Sequence, residues 1–145
     1  MLGNGRQFRP IQKQAGIVEK KDWEHKKALI MLGVDKLIRL NFPDMRLDAV
    51  PHIELNKKMN EVFEKVQPEI VFTHSKDDLN CDHKKVYDST MVITRPLNNF
   101  LRRVYSYEVL SSSEWSLERP FRPNYFVDIG KYIKKKKEAF SVMET

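Results

Sequence analysis

Residues 69–88 read Glu69-Ile-Val-Phe-Thr-His-Ser-Lys-Asp-Asp-Leu-Asn-Cys-Asp-His-Lys-Lys-Val-Tyr-Asp88. The apolar run Ile70-Val71-Phe72 follows Pro68 and is too short for a helix, so it predicts a buried strand. From Thr73 to Asp82 the chain is polar and carries His74, Asp77, Asp78, Asn80, Cys81 and Asp82. An amphipathic helix is expected from about Asp82-His83 to Thr94. Pro96 ends it, because it lacks a backbone donor and disfavours helix at Arg95. A strand therefore runs into a loop of carboxylates and imidazoles that feeds a helix N-terminus. In an open α/β sheet, that carboxyl edge is where ligands bind.

The flanking chain alternates in the same way. Met1 to Gly16 has little periodicity and is expected to be loop. A helix is expected from Val18 to Leu32, with His25, Ala28, Leu29 and Leu32 on one stripe and Gly33 as its stop. Lys36 to Leu40 is an expected strand ending in the polar loop Asn41-Phe42-Pro43-Asp44. Pro51 opens a helix with Leu55, Met59, Val62, Phe63 and Val66 in helical register. Downstream, Val104 to Leu110 and Tyr125 to Asp128 are expected strands. Ser111 to Ser113 and Pro120 to Asn124 are loops, and Ile129 to Met143 is a basic helix. Strands alternating with helices predict a parallel, helix-covered sheet.

Bulk composition narrows the class. The 145 residues allow at most one domain, and no window of 18 apolar residues exists to span a membrane. The N-terminus lacks the apolar core of a signal peptide, and a single cysteine, Cys81, permits no internal disulfide. Both fit a reducing, cytoplasmic setting. The net charge of +6 resides at the ends, since residues 21–128 hold 17 basic and 17 acidic side chains. A basic nucleic-acid-binding module built on Arg102-Arg103 and Lys134–Lys137 is disfavoured by that neutral middle. The lysine run reads as a solvated helix face.

The stretch 69–88 also resembles the LmbE-like (PIG-L) family of zinc-dependent sugar N-deacetylases, in the branch whose loop reads Thr-His…Asp-Leu-Asn-x-Asp-His. Further segments agree in order: Leu40-Asn41-Phe42-Pro43-Asp44-Met45-Arg46-Leu47-Asp48, Tyr107-Glu108-Val109-Leu110-Ser111-Ser112-Ser113-Glu114-Trp115, Phe121-Arg122-Pro123-Asn124-Tyr125-Phe126-Val127-Asp128-Ile129, and the helix ending Leu32-Gly33-Val34. The resemblance covers about Lys21 to Thr145. It implies a three-layer, Rossmann-like, mostly parallel α/β sheet and hydrolysis of the acetamide of an N-acetylated amino sugar or its glycoconjugate. The family's His-Pro-Asp-Asp motif, which supplies two zinc ligands and the general base, occurs nowhere in residues 1–145. The expectation is a single partial domain, 1–145, without the family's first strand and ending early at Met143-Glu144-Thr145. Such a chain is expected to be inactive alone, with an oligomer or a complementing fragment among its candidate partners.

The resemblance assigns roles by position. His83 becomes the third zinc ligand; without the surrounding motif it would read as a solvated histidine at a helix start. Asp82 is expected as the N-cap of its helix, and the resemblance adds that it orders the loop beside the metal. Asn80 stands where other branches carry a histidine that stabilises the oxyanion, and an amide can donate there without carrying a proton. Asp44 aligns with a family aspartate that faces the sugar hydroxyls, with a plain turn residue as the alternative, and Arg46 is a weaker candidate for lining the same cleft. His74 and Asp78 are expected to line the pocket. Lys21 occupies a substrate-arginine position but lacks the bidentate fork, and His25 and His52 are expected to be structural. A catalytic zinc takes three protein ligands and an open position, so one ligand here leaves the site incomplete. Convergence of His74, Asp78 and His83 would be a different metal site. A non-catalytic protein of the same fold is the remaining alternative.

Overall fold

The fold of the central segment follows from where Ile70-Val71-Phe72-Thr73 finds a partner. In the computed structural model, which describes residues 11–143, these four residues form β1 (Ile70–Thr73). They pair in parallel with β2 (Arg103–Ser106), in the register Ile70↔Arg103 to Thr73↔Ser106. The elements run α1 (Ile11–Leu32), a 3-10 turn at Leu47–Ala49, α2 (His52–Val66), β1, α3 (Cys81–Ile93), β2, a 3-10 turn at Ser113–Trp115, and α4 (Ile133–Ser141). The chain is thus mixed α/β with parallel pairing across the α3 connection, the expected class.

The described residues group into two compact units, Arg39–Tyr125 and the two flanking segments up to Ile38 and from Phe126. In the central unit α2 packs on α3, and α3 packs on β1. Leu55 and Phe63 are buried on one face of α2, and Phe63 meets the Phe100 ring at 5.1 Å between centroids. The α3–β1 contact is polar at its centre. Thr90 Oγ1 donates to Val86 O at 2.7 Å, so its single proton is committed, and the buried Thr73 hydroxyl 3.1 Å away must donate to it. Thr90→Val is therefore expected to cost roughly 1–3 kcal/mol, because Thr73 is left with a buried unpaired hydroxyl. The double change Thr73→Val/Thr90→Val should recover much of that loss in urea unfolding.

The sheet is smaller than the sequence suggests. Lys36–Leu40 and Tyr125–Asp128 are irregular, and the Val104–Leu110 strand is cut to Arg103–Ser106. A strand persists only where a ladder partner exists, and among the described residues each of the two strands has one neighbour. The expectation of a strand buried on both faces is also corrected. Val71 and Thr73 turn toward the helices, while Ile70 and Phe72 are exposed, with Phe72 stacked on Tyr105 and Tyr105 tilted against Tyr125.

In the other unit α1 packs on α4, and Ala28 and Ala139 are buried there. Helix α1 starts at Ile11, so Ile11–Gly16 is helical rather than loop; residues 1–10 lie outside the described part. Gln12 to Ala15 are good helix formers, and one interior glycine costs only about 1 kcal/mol. The expected stripe is rotated: Glu24 and Ala28 are buried while His25 and Leu32 are exposed. Gly33 ends the helix with φ +80, and Val34 N bonds Leu29 O while Gly33 N bonds Ile30 O. That bonding pattern needs a left-handed residue, which glycine adopts without strain. Helix α4 is shorter than the expected Ile129–Met143.

Candidate active site

Parallel strands place their carboxyl ends side by side, and the register decides which residues meet there. Thr73 pairs with Ser106, and Tyr107 N continues the ladder to Thr73 O at 2.9 Å. The next residues out, His74 and Tyr107, therefore become neighbours. Tyr107 Oη lies 3.1 Å from His74 Nε2, with the two rings 5.1 Å apart. His74 Nδ1 is buried without a hydrogen-bond partner.

Beyond His74 the chain turns twice on its own polar side chains. Asp78 N bonds Ser75 O, and Asp78 Oδ1 accepts from Asn80 N at 2.8 Å, a turn that Asp favours. Asn80 then caps α3, its Oδ1 accepting from Asp82 N at 2.8 Å and His83 N at 3.4 Å. The N-cap is thus Asn80 and not Asp82. An N-cap oxygen accepts from the second and third helical N–H groups, and here those belong to Asp82 and His83. Asp82 instead sits in the first turn, where a negative charge favours the helix dipole, and its Oδ1 accepts from Leu47 N at 3.0 Å. That bond ties the Asn41–Asp48 loop to α3, as does the 3.6 Å contact of Asn80 Nδ2 with Met45 Sδ. Loss of the cap in Asn80→Ala should cost about 0.5–2 kcal/mol, read as a lower denaturation midpoint with the fold retained.

His83 turns back over the loop. Its ring stacks on His74 at 4.0 Å with an 18° tilt, and its Nδ1 lies 2.9 Å from Asp78 Oδ2. Ser112 Oγ, from the loop after β2, donates to the same oxygen at 2.9 Å. Asp78 is fully buried, so it does not line a pocket in the sense expected of it; it anchors the cluster from below. Burial alone would raise the Asp78 carboxyl, but hydrogen bonds from His83, Asn80 N and Ser112 hold it below its ordinary range. Burial, then His83, lowers the His74 imidazole, while the Asp78 charge acts the other way. Partial burial and the Asp78 charge push the Tyr107 phenol up.

The structure thus brings His74, Asp78, Asn80, Asp82 and His83 together and joins them to Met45 and Leu47, the neighbours of Asp44, Arg46 and Asp48. Asp44 and Arg46 are exposed on that loop. Lys21 and His25 are exposed on α1, and His52 has the structural role expected, its Nε2 3.0 Å from Ser89 Oγ. Tyr107 and Ser112 went unassigned in the sequence. Strand register could have suggested Tyr107, but nothing local marks Ser112.

Among the described residues no group of three or more His, Cys, Asp or Glu side chains is placed to hold a metal ion. His74 and His83 meet face to face as a stack and do not converge on a common point. His83 by itself has the surroundings of a metal-ligating histidine, with one nitrogen against a carboxylate. Asn56 Oδ1 and His74 Nδ1 are the buried unpaired side-chain atoms among the described residues. The His83 side chain is partly exposed. No described helix is long and apolar enough to cross a membrane.

Two comparisons with known proteins bear on this geometry. The crystal structure of the conserved protein TT1542 from Thermus thermophilus has the same fold, with a TM-score of 0.66 and 23% identity. The match covers 86% of this chain and 57% of that one, so this chain spans somewhat over half of that protein's length. The family model described as PIG-L, GlcNAc-PI de-N-acetylase, matches residues 1–94, which include the Asp44 loop and the whole cluster from His74 to His83. Members of that family are generally metal-dependent. With its parallel βαβ core and a family match over well more than half of its residues, the chain belongs to the PIG-L family of de-N-acetylases.

Proposed function

We propose that this chain supplies the His83 side of a zinc-dependent N-deacetylase site that acts on an N-acetylated amino sugar or its glycoconjugate. The observation that carries this is His83 itself: a partly exposed ring, its Nδ1 held by buried Asp78, at the carboxyl edge of a parallel sheet in a PIG-L chain. When bound, zinc supplies polarisation of the acetamide carbonyl and a lowered pKa for its water. The chain's own residues have separable tasks. Asn80 is fixed in orientation because its oxygen caps α3 and its Nδ2 meets Met45 Sδ, which leaves the second amide N–H as a neutral donor toward an oxyanion. Asp82 holds the Asp44–Arg46 loop in place beside them, and Asp44 and Arg46 contact the sugar hydroxyls. His74, with Tyr107, forms the wall behind His83.

The chain alone should hold little zinc, since it offers one ligand where a catalytic zinc takes three. The test joins it to a strand carrying His-Pro-Asp-Asp, in one chain or as a complementing fragment. Zinc content and acetate release from a simple N-acetylglucosamine conjugate are then measured. Both should appear together in the joined protein and be absent from either part. Zinc-free, inactive joined protein would instead favour a non-catalytic protein of this fold, the reading suggested by the lack of a three-donor group among the described residues. One zinc held tightly by the unjoined chain would sink the proposal of a shared site.

A further inference from the structure

We infer that Asp78 is a positioning residue that holds His83 in the tautomer with the proton on Nδ1, leaving the lone pair on Nε2. This deepens the proposed function and rests on it only for the use to which Nε2 is put.

The hydrogen-bond count of Asp78 carries the inference. Its carboxylate is fully buried, and each of its contacts comes from a donor. Oδ1 takes the backbone N–H of Asn80 at 2.8 Å. Oδ2 takes the Ser112 hydroxyl at 2.9 Å and faces His83 Nδ1 at 2.9 Å. An ionised carboxylate is an acceptor only. A lone pair on Nδ1 would therefore meet a lone pair of Oδ2 inside a low-dielectric contact, and the proton must sit on Nδ1. His83 can then offer only Nε2 as an acceptor or ligand. Asp78 itself is fixed from two directions, by the turn that leads into α3 and by the loop that follows β2. The helix that carries His83 and the loop that follows β2 are thereby tied to one carboxylate.

The amide replacement Asp78→Asn sharpens the consequence. Its NH2 cannot face Asn80, whose backbone group is itself a donor. It must take the place of Oδ2, where Ser112 can rotate to accept. His83 Nδ1 can accept there too, but only by moving its own proton to Nε2. An isosteric change is thus expected to invert the His83 tautomer while leaving its position nearly unchanged.

The test is a long-range nitrogen–proton NMR correlation on the full chain, labelled at histidine, at a pH where the rings are neutral. His83→Gln identifies the His83 signals by their loss. In the unsubstituted chain His83 should show a protonated Nδ1 and a pyridine-type Nε2. Asp78→Asn should interchange the two nitrogen signatures, whereas Ser112→Ala should leave Nδ1 protonated, because Oδ2 still accepts from it. A merely structural role for Asp78 would not move this signature. A protonated Nε2 in the unsubstituted chain overturns the inference, as does an unchanged His83 pattern in a folded Asp78→Asn protein. If Asp78→Asn does not fold, the unsubstituted chain and Ser112→Ala decide the matter. No metal or substrate enters the measurement, so its failure stays distinct from failure of the deacetylase proposal.

Discussion

His83→Ala, made in the protein joined to a His-Pro-Asp-Asp strand, is expected to lose both zinc and deacetylase turnover. Removing a mere partner of a metal ligand typically costs about 10- to 100-fold in affinity or activity, and removing a ligand itself should exceed that. The fold should survive, because the His83 ring is partly exposed and α3 remains capped by Asn80. Atomic absorption on dialysed protein, far-UV circular dichroism and acetate release together separate loss of metal from loss of structure. Asn80→Ala in the same background should keep zinc and lose rate, by on the order of 10²-fold if its amide donates to the oxyanion. Undiminished zinc and turnover in His83→Ala would remove the central residue of the proposed site.

Phe63→Ala should be the most destabilising apolar truncation in the central unit, at about 3–5 kcal/mol. Phe63 is buried on α2 and packs against Phe100, on the same face as buried Leu55. This unit has few fully buried apolar side chains among the described residues, so little else can collapse into the cavity. A small domain has only about 5–15 kcal/mol in total, and a loss of this size shifts the urea midpoint visibly. Val66→Ala, at a half-exposed position on the same helix, should stay within about 0.5 kcal/mol. Equal effects from the two changes would mean that α2 does not dock through its Phe63 face.

Local chemistry made a large part of this protein legible from its sequence. The period of Leu55, Phe63 and their neighbours marked α2, and Pro51 set its start. The short run at Ile70 marked β1, and Gly33 marked the end of α1. Each of these signals acts within a turn or two of chain, where spacing and backbone preference suffice. The motif around His83 and its family resemblance lie in the sequence as well. Asp82 and Asn80 are nearly equal cap candidates in isolation, and only the geometry of the preceding turn selects Asn80.

What only the tertiary structure decided depends on partners distant in sequence. Lys36–Leu40 and Tyr125–Asp128 have strand-like composition, but a strand is defined by a ladder that no local pattern can guarantee. The parallel register of β1 on β2 put Tyr107 beside His74, and the loop after β2 brought Ser112 to Asp78 across 34 residues. Burial of Asp78 is a consequence of that closure. In the sequence Asp78 is one of three aspartates in a polar loop and looks like a solvent-facing lining residue. Three donors, two from the start of α3 and one from the loop after β2, turned it into the fixed point beneath His83, because a buried carboxylate is tolerated only where donors meet it.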